Sequence, residues 1–185
     1  MVVAPVMVGL LAFVAASCSK HEQAKLTAAD GAAGDLFGWS VAISGSRVVA
    51  GAPEADIGTT YSQGAAYVFV RSLPPFWSQQ AKLTARDGVF WDDFGWSVAI
   101  SGYEVAVGAP MQYASNAFSV RAGAAYVFIW SNGIWSQEAK LSVVNGGRDD
   151  WFGNSIAIDS GTGTVVAGAP YRANSNRGSA YVFVR

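Results

Sequence analysis

Pairs of acidic or amide side chains, five residues apart, occur in three loops of the chain, each just before a Phe-Gly dipeptide. The pairs are Asp30 and Asp35, Asp87 and Asp92, and Asn145 and Asp150. Paired carboxylates can perform acid/base or glycosidase chemistry when their pKa values differ. Because an active site is needed once and the pairs occur three times, we favour a turn in which the second Asp accepts backbone N–H groups. A divalent metal site is the alternative, with Asp30, Asp35, Asp87, Asp92 and Asp150 as ligands.

Other residues of these loops are not repeated. We define the Asp loops as residues 30–36, 87–93 and 145–151. Asp93 and Asp149 are unrepeated carboxylates, and Trp91 and Trp151 lie beside them. An aromatic side chain beside carboxylates in an exposed loop is typical of a sugar-stacking surface. Solvated loop charge and ordinary packing are the structural alternatives.

Composition excludes several classes of protein. The 12 Lys and Arg against 13 Asp and Glu give a net charge of −1, so no basic field favours nucleic acid or an anionic membrane. One His and one Cys exclude a Cys/His zinc site and a Ser-His-Asp or Cys-His nucleophile built within this chain alone. The 51% hydrophobic and 14% charged residues indicate a folded chain with a large core.

The first 22 residues resemble an export signal. Residues 1–17 are apolar or small and precede the first charged side chain, Lys20, and the run is too short for a comfortable membrane span. Small residues then lead to Cys18, which would be the lipid-modified residue if the segment were a lipoprotein signal. We expect a secreted, periplasmic or cell-surface protein without a transmembrane helix in the mature chain, although no Lys or Arg precedes the apolar run.

Four short segments recur three times in the same order. The landmarks are AKL, Phe-Gly followed by a Val- or Ile-rich strand, Gly-Ala-Pro, and Tyr-Val-Phe; the Phe-Gly pairs begin at Phe37, Phe94 and Phe152. Their Val, Ile, Tyr and Phe content and the turn residues between them predict a four-stranded antiparallel meander in each unit. The repeats are about 23–79, 80–137 and 138–185.

Stacked sheets explain the apolar pattern. Trp39, Val41 and Ile43 alternate with small residues, so neither strand face carries charge and both are expected to be buried. Blades around an axis supply neighbours on both sides, which predicts an all-β fold of β-propeller blades with almost no helix. The repeated Trp39, Trp96, Trp77 and Trp135 are expected to be core residues that pack between blades.

The meander also predicts one loop-rich face. Counting strands from Phe-Gly, the second-to-third connections must emerge beside the Asp loops. Those connections, residues 54–63, 111–122 and 171–177, differ most between repeats, as a recognition surface requires. Unconstrained drift of long loops is the alternative. The candidate ligand-binding residues on this loop face are Asp56, Tyr61, Trp91, Asp93, Tyr113, Asn116, Arg121, Asp149, Trp151, Arg172 and Asn174.

With these landmarks the chain resembles the FG-GAP repeat, the blade unit of integrin α-subunit propellers, and its bacterial variety in particular. The resemblance covers residues 23–185. It implies a calcium-binding DxDxDG loop between the first two strands of a blade. The loops at that position, SGSR at 44–47, SGYE at 101–104 and DSGTGT at 159–164, lack three oxygen ligands at the required spacing, so we expect no cofactor, with calcium as the alternative.

Three blades are too few for a propeller ring of ordinary curvature. The third unit lacks the fourth strand that AKL at 24–26 brings in advance of the first. Further blades of a longer protein, which we favour, or self-association would complete the ring. An open arc would expose apolar sheet faces at both ends.

Two classes of function follow, with a third alternative. The first is a non-enzymatic binding or adhesion module that recognises a protein or carbohydrate through the loop face. The second is a propeller-scaffold hydrolase or lyase that uses loop carboxylates such as Asp92, Asp93, Asp149 and Asp150. The third is a structural repeat segment of a larger exported protein. The lack of His in the repeats favours the first.

Overall fold

A computed structural model of the chain describes residues 21–73, 76–114, 117–144, 146–171 and 177–185. These residues form thirteen strands and no helix, and therefore no helix suited to crossing a membrane. The strands are Val41–Ser44 (β1), Arg47–Ala52 (β2), Ala65–Arg71 (β3), Trp77–Leu83 (β4), Ser97–Ser101 (β5), Glu104–Ala109 (β6), Tyr113–Ala114 (β7), Ala117–Arg121 (β8), Ala124–Ser131 (β9), Ile134–Leu141 (β10), Ser155–Asp159 (β11), Thr164–Ala169 (β12) and Ser179–Val184 (β13).

The strands form three antiparallel sheets and one short hairpin. Blade 1 has the order β1-β2-β3-β4, blade 2 the order β5-β6-β9-β10, and blade 3 the order β11-β12-β13, while β7 and β8 pair with each other. The predicted meander and the all-β propeller-blade fold are confirmed. The AKL segment of each later repeat is the outer strand of the preceding blade, so blades and sequence repeats are offset by one strand.

Apolar side chains between consecutive blades make up the core. Between blades 1 and 2, Val49 and Val68 of one sheet pack in the same cluster as Val98 and Val107 of the next. Between blades 2 and 3, Ala106 and Val127 pack with Val165 and with the partly buried Ile156 and Ile158. Blade 2 therefore buries both of its faces, one against each neighbouring blade, which explains why residues of both parities in its strands are apolar.

The Phe of each Phe-Gly pair anchors the start of its blade. Phe94 is fully buried and contacts Tyr126 and Phe128 edge-on at centroid distances of 5.5 and 5.9 Å. Phe152 contacts Tyr181 and Phe183 in the same manner. Because the aromatic residues recur together in all three repeats, the Phe-Gly and Tyr-Val-Phe landmarks are two halves of one packing unit.

Consecutive blades touch through backbone at the Gly-Ala-Pro segments. A Cβ on Gly51 would lie 1.9 Å from the carbonyl oxygen of Gly95, and a Cβ on Gly108 would lie 1.9 Å from that of Gly153. The hydroxyl groups of Ser40 and Ser97 donate to the same two carbonyl oxygens at 2.7 Å. Glycine is needed here because the next blade occupies the space of a side chain.

The prediction that both faces of every strand are buried is wrong for blade 1 and blade 3, the first and last of the three described sheets. Val41 and Ile43 of β1 are 68% and 67% exposed, whereas Val98 and Ile100 at the matching positions of β5 are each 9% exposed. Val182 of β13 is also exposed. Burial in this architecture comes from a neighbouring sheet, and no described sheet precedes blade 1 or follows blade 3, so only the expectation of apolar faces exposed at both ends is confirmed.

The backbone contact can be tested with a matched pair of glycine substitutions. We expect Gly108→Ala to lower the free energy of unfolding by about 1–3 kcal/mol or more, because the methyl group would collide with the backbone of blade 3. Gly168→Ala is the control, since the nearest atom to its Cβ is the Ser155 hydroxyl oxygen of its own blade, at 2.4 Å. Urea denaturation measures both, and equal losses would contradict this role of the contact.

Candidate functional site

The Asp loop of one blade runs beside the long connection of the preceding blade. The amide groups of Trp91, Asp93 and Phe94 donate to the carbonyl oxygens of residues 61–63 at 3.2, 3.4 and 3.0 Å. The same pairing joins Phe152 to Ala122 at 3.0 Å. The described parts of the first two divergent connections therefore lie beside the second and third Asp loops, on one loop face, as the strand count predicts.

In the first two repeats, the first Asp of the pair forms a salt bridge that the sequence interpretation missed, whereas Asn145 of the third pair lies outside the described residues. Lys82 binds Asp30 and Lys140 binds Asp87, each at 2.6 Å between Nζ and Oδ2, and Tyr126 also donates its hydroxyl to Asp87 at 3.0 Å. The Lys82 ammonium lowers the pKa of Asp30. Burial acts to raise the pKa of Asp87, but Lys140 and Tyr126 outweigh it and the pKa is lowered. The Lys that recurs in the AKL segments was the sequence feature that could have indicated this pairing.

The second Asp of each pair closes its own turn. Oδ2 of Asp35, Asp92 and Asp150 accepts an N–H three residues earlier, at 2.8, 2.8 and 2.6 Å. This bond is present in all three repeats and matches the favoured interpretation of the pairs as turn-forming residues. The other carboxylate oxygen of Asp92, Oδ1, is buried and has no hydrogen-bond partner among the described residues.

The proposed metal ligands do not converge within the described residues. No group of three or more His, Cys, Asp or Glu side chains in those ranges is arranged to hold a metal ion. In the hairpin at the family's calcium position, Asp159 accepts from the Gly161 amide and the Thr162 hydroxyl, both at 2.9 Å. Its carboxylate thus stabilises its own turn.

Each Asp loop places a left-handed residue on either side of the buried Asp. The first such position is Gly34 in repeat 1, Trp91 in repeat 2 and Asp149 in repeat 3, with φ of 100°, 64° and 61°. The second position is Leu36, Asp93 and Trp151, with φ of 55°, 54° and 55°. A left-handed backbone costs a non-glycine residue about 1–2 kcal/mol. The backbone shape is repeated, whereas the side chains on it are not.

A row of aromatic rings crosses the three blades on this face. Trp39 contacts Trp96, Trp96 contacts Trp151, and Trp151 contacts Tyr171, with centroid distances of 4.9, 6.3 and 5.0 Å. Trp39 is 51% exposed, so its prediction as a core residue is wrong, although it does pack between blades. A second exposed aromatic cluster on the loop face consists of Tyr61, Phe90 and Trp91, in which the Tyr61 and Phe90 ring centroids lie 6.3 Å apart and the Trp91 amide donates to the Tyr61 carbonyl.

Charged groups lie next to these aromatic residues. Burial raises the pKa of Asp93 to about 7, with a further contribution from the Glu54 carboxylate, while Arg121 acts in the opposite direction. Burial raises the pKa of Asp92 to about 6. Glu54 accepts from the Ser62 hydroxyl at 2.7 Å. A carboxyl group that changes protonation near neutral pH is therefore part of the loop face.

The loop face brings together most of the predicted site residues. Asp56 accepts from the Ser62 amide at 2.9 Å, and the Arg121 guanidinium lies over the Tyr113 ring and donates to its hydroxyl at 3.2 Å. Asp149 is exposed and its amide donates to the Arg121 carbonyl at 2.9 Å. The remaining predicted residues, Asn116, Arg172, Asn174 and Cys18, lie outside the described residues.

The raised pKa of Asp93 predicts a pH-dependent effect of Asp93→Asn. A carboxyl group with a raised folded-state pKa contributes stability below its unfolded value, near 4, and loses it as the pH rises through 7. We therefore expect the variant to gain stability relative to wild type between pH 4 and pH 8, as measured by urea denaturation. Asn also tolerates the left-handed backbone.

Asp149→Asn is the matched control for this experiment. Asp149 has the same left-handed backbone, but its side chain is exposed. It therefore reports the effect of replacing a carboxylate by an amide at such a position. A stability difference between wild type and Asp93→Asn that stays constant from pH 4 to pH 8 would contradict the raised pKa.

Comparison with known proteins agrees with this geometry. The family model of the FG-GAP repeat matches residues 21–69, 77–128 and 135–183, which together make up most of the chain. Among curated proteins, none matches the chain significantly. Because each of the three consecutive matches contains three strands of one sheet, with its Phe-Gly and Gly-Ala-Pro segments, the chain belongs to the FG-GAP repeat family.

Proposed function

We propose that this β-propeller-type chain is an exported, non-catalytic binding module that recognises a protein or carbohydrate through its loop face. The observation that carries the proposal is the left-handed pair in each Asp loop. Gly34 shows that the first position needs no side chain, yet Trp91 and Asp149 occupy it in the other repeats. Backbone strain retained at exposed, unrepeated residues is characteristic of functional positions.

The aromatic surface supplies the contact area for such a ligand. Tyr61, Phe90 and Trp91 are 62%, 49% and 52% exposed, and the row of aromatic rings contains the half-exposed Trp39 and Tyr171. Tyr and Trp give large, rigid, amphipathic contacts at a low cost in conformational entropy. Arg121 supplies a positive charge, and the Asp93 carboxyl group supplies a hydrogen-bonding group that can both donate and accept near neutral pH, so the two can orient a ligand.

Export is supported by the apolar run at residues 2–17, which lies outside the described residues, and by membership of a repeat family typical of extracellular proteins. We expect expression of the full chain in a bacterial host to yield a processed product outside the cytoplasm. Cell fractionation locates the product, and mass spectrometry of each fraction shows whether the N-terminal segment has been removed. An intact chain that stays in the cytoplasm would contradict export.

A hydrolase or lyase is the second candidate, and the raised pKa of Asp93 favours it. A carboxyl group with a pKa of about 7 beside the second carboxyl group of Glu54 is suited to general acid/base chemistry at neutral pH. Asp92 is a poorer candidate because it is fully buried and its Oδ2 accepts the Val89 amide. Binding without turnover supports the module, and products released from a bound glycan support the enzyme.

The binding proposal is tested with Trp91→Gly. Glycine fits the left-handed backbone, so we expect a free energy of unfolding within about 1 kcal/mol of wild type. We expect at least a tenfold loss of binding to whichever probe the wild-type protein retains on a glycan microarray and an extracellular-protein microarray. Fluorescence titration with the probe measures the loss.

Trp130→Ala is the matched control, because Trp130 packs on Trp135 between β9 and β10 and not on the loop face. It should bind as wild type does. Binding by Trp91→Gly at the wild-type affinity, or no wild-type binding to either array, would contradict the proposal.

A further inference from the structure

A polar cleft opens on the loop face of blade 1. It has a volume of about 330 Å³ and lies between the Asp loop of repeat 1 and the long connection of the same blade, and β4 contributes Lys82 to its lining. Small-molecule sites usually have volumes of about 300–1,000 Å³. Every lining residue belongs to blade 1 or to its loops, so the cleft is a property of a single blade.

Two small side chains of the Asp loop give the cleft its volume. Ala32 and Ala33 both line it. The matching positions of repeat 2 carry Val89 and Phe90, whose side chains are much larger. The cleft is therefore particular to repeat 1, as expected of a specific site on a repeated backbone.

Negative charge exceeds positive charge in the lining. The charged side chains there are Asp30, Asp35, Glu54, Asp56 and Lys82. Lys82 binds Asp30 at 2.6 Å, so these two charges offset each other. In the part of the chain that the structure describes, no cation forms a salt bridge with the three other carboxylates. A positively charged ligand group is therefore complementary to the cleft.

Hydrogen bonds hold these three carboxylates in place and leave oxygens for a ligand. Glu54 accepts from the Ser62 hydroxyl at 2.7 Å, and Asp56 accepts from the Ser62 amide at 2.9 Å. Oδ2 of Asp35 accepts from the Ala32 amide at 2.8 Å, whereas no described group donates to its Oδ1.

Asp35 is the buried member of this set. It is only 9% exposed, yet it lines the cleft and has one oxygen without a partner. Removing a carboxylate oxygen from water without supplying a donor costs free energy. A ligand that donates a hydrogen bond to Asp35 would recover part of this cost, and a charged donor would recover more.

The rest of the lining favours a ligand that is polar over its whole surface. Ala32 and Ala33 supply the only apolar side chains, so the cleft offers little contact for the four-carbon stem of a lysine side chain. The Ser62 hydroxyl oxygen can still accept, and Lys82 has further N–H groups to donate. Groups of both kinds suit the hydroxyl groups of a sugar.

We propose that this cleft binds a sugar that carries a free amino group, with the ammonium group at the Asp35, Glu54 and Asp56 carboxylates and a hydroxyl group at Lys82. The inference rests on the proposed binding function, since the cleft is part of the loop face. It names the class of ligand as an amino sugar.

A matched pair of sugar probes tests the charge requirement. An oligosaccharide of glucosamine and the fully N-acetylated oligosaccharide of the same length are titrated into the full chain by isothermal calorimetry at pH 6. Acetylation removes the positive charge and keeps the sugar hydroxyl groups. We expect the glucosamine probe to bind at least tenfold more tightly than its acetylated form, and at least tenfold more tightly than a lysine peptide of equal charge.

Two variants place the binding in the cleft. Ala33→Phe fills it without a change of charge, and repeat 2 already carries Phe90 at the matching position, so we expect a folded protein with at least a tenfold loss of affinity. Glu54→Gln keeps an oxygen for the Ser62 hydroxyl and removes one charge, so we expect about a fivefold loss or more. Circular dichroism verifies folding.

Asp159→Asn is the matched control, because it removes the same charge in the β11–β12 hairpin, outside the cleft. It should bind as wild type does. Equal affinity for the two sugar probes, tighter binding of the lysine peptide, or wild-type affinity in Ala33→Phe would overturn the proposal.

The outcome also separates this inference from the proposed function. If the glucosamine probe does not bind but another array probe is retained and is lost in Trp91→Gly, the amino-sugar site alone is wrong. If the wild-type protein retains no probe at all, the binding function fails together with the site.

Discussion

The structure depends on the close approach of consecutive backbones at the Phe-Gly and Gly-Ala-Pro segments. Gly51 and Gly108 each lie where a side chain would collide with a carbonyl oxygen of the next blade, and a Ser hydroxyl donates to that same oxygen. This contact fixes how the sheets stack, and the apolar residues on their faces then fill the space between them. Stacking in turn places each Asp loop beside the long connection of the preceding blade.

The loop face combines one constant backbone with variable side chains. The buried Asp of each loop closes the turn, and the two left-handed positions beside it carry residues that differ in every repeat. This separation gives the loops a stable shape that does not depend on Trp91, Asp93, Asp149 or Trp151. Those side chains are the ones that we propose for recognition, and the surrounding hydrogen bonds offset the strain of the left-handed backbone that carries them.

The sequence was sufficient to predict the four-stranded blades, their strand order and the face on which the divergent loops lie, because repetition aligns each landmark with two others. It did not predict the Lys82–Asp30 pairing, which joins residues 52 positions apart through the offset between blades and repeats. The exposure of Trp39 was also missed, since a repeated residue is covered only where a neighbouring blade is present. The left-handed backbone at Trp91 and Trp151 could not be predicted from the sequence. Such a conformation is usually indicated by Gly or Asn, and Trp stands at both positions.

Amide hydrogen exchange tests most directly whether the contacts between consecutive blades hold the chain together as one unit. The amides of Phe94 and Phe152 donate across the boundaries between blades, to Gln63 and Ala122. If the boundaries open only when the whole chain unfolds, these two amides exchange with the same free energy as the central amides of β3 and β9. Exchange of Phe94 and Phe152 well before those strand amides would show that the blades separate independently and would contradict the account.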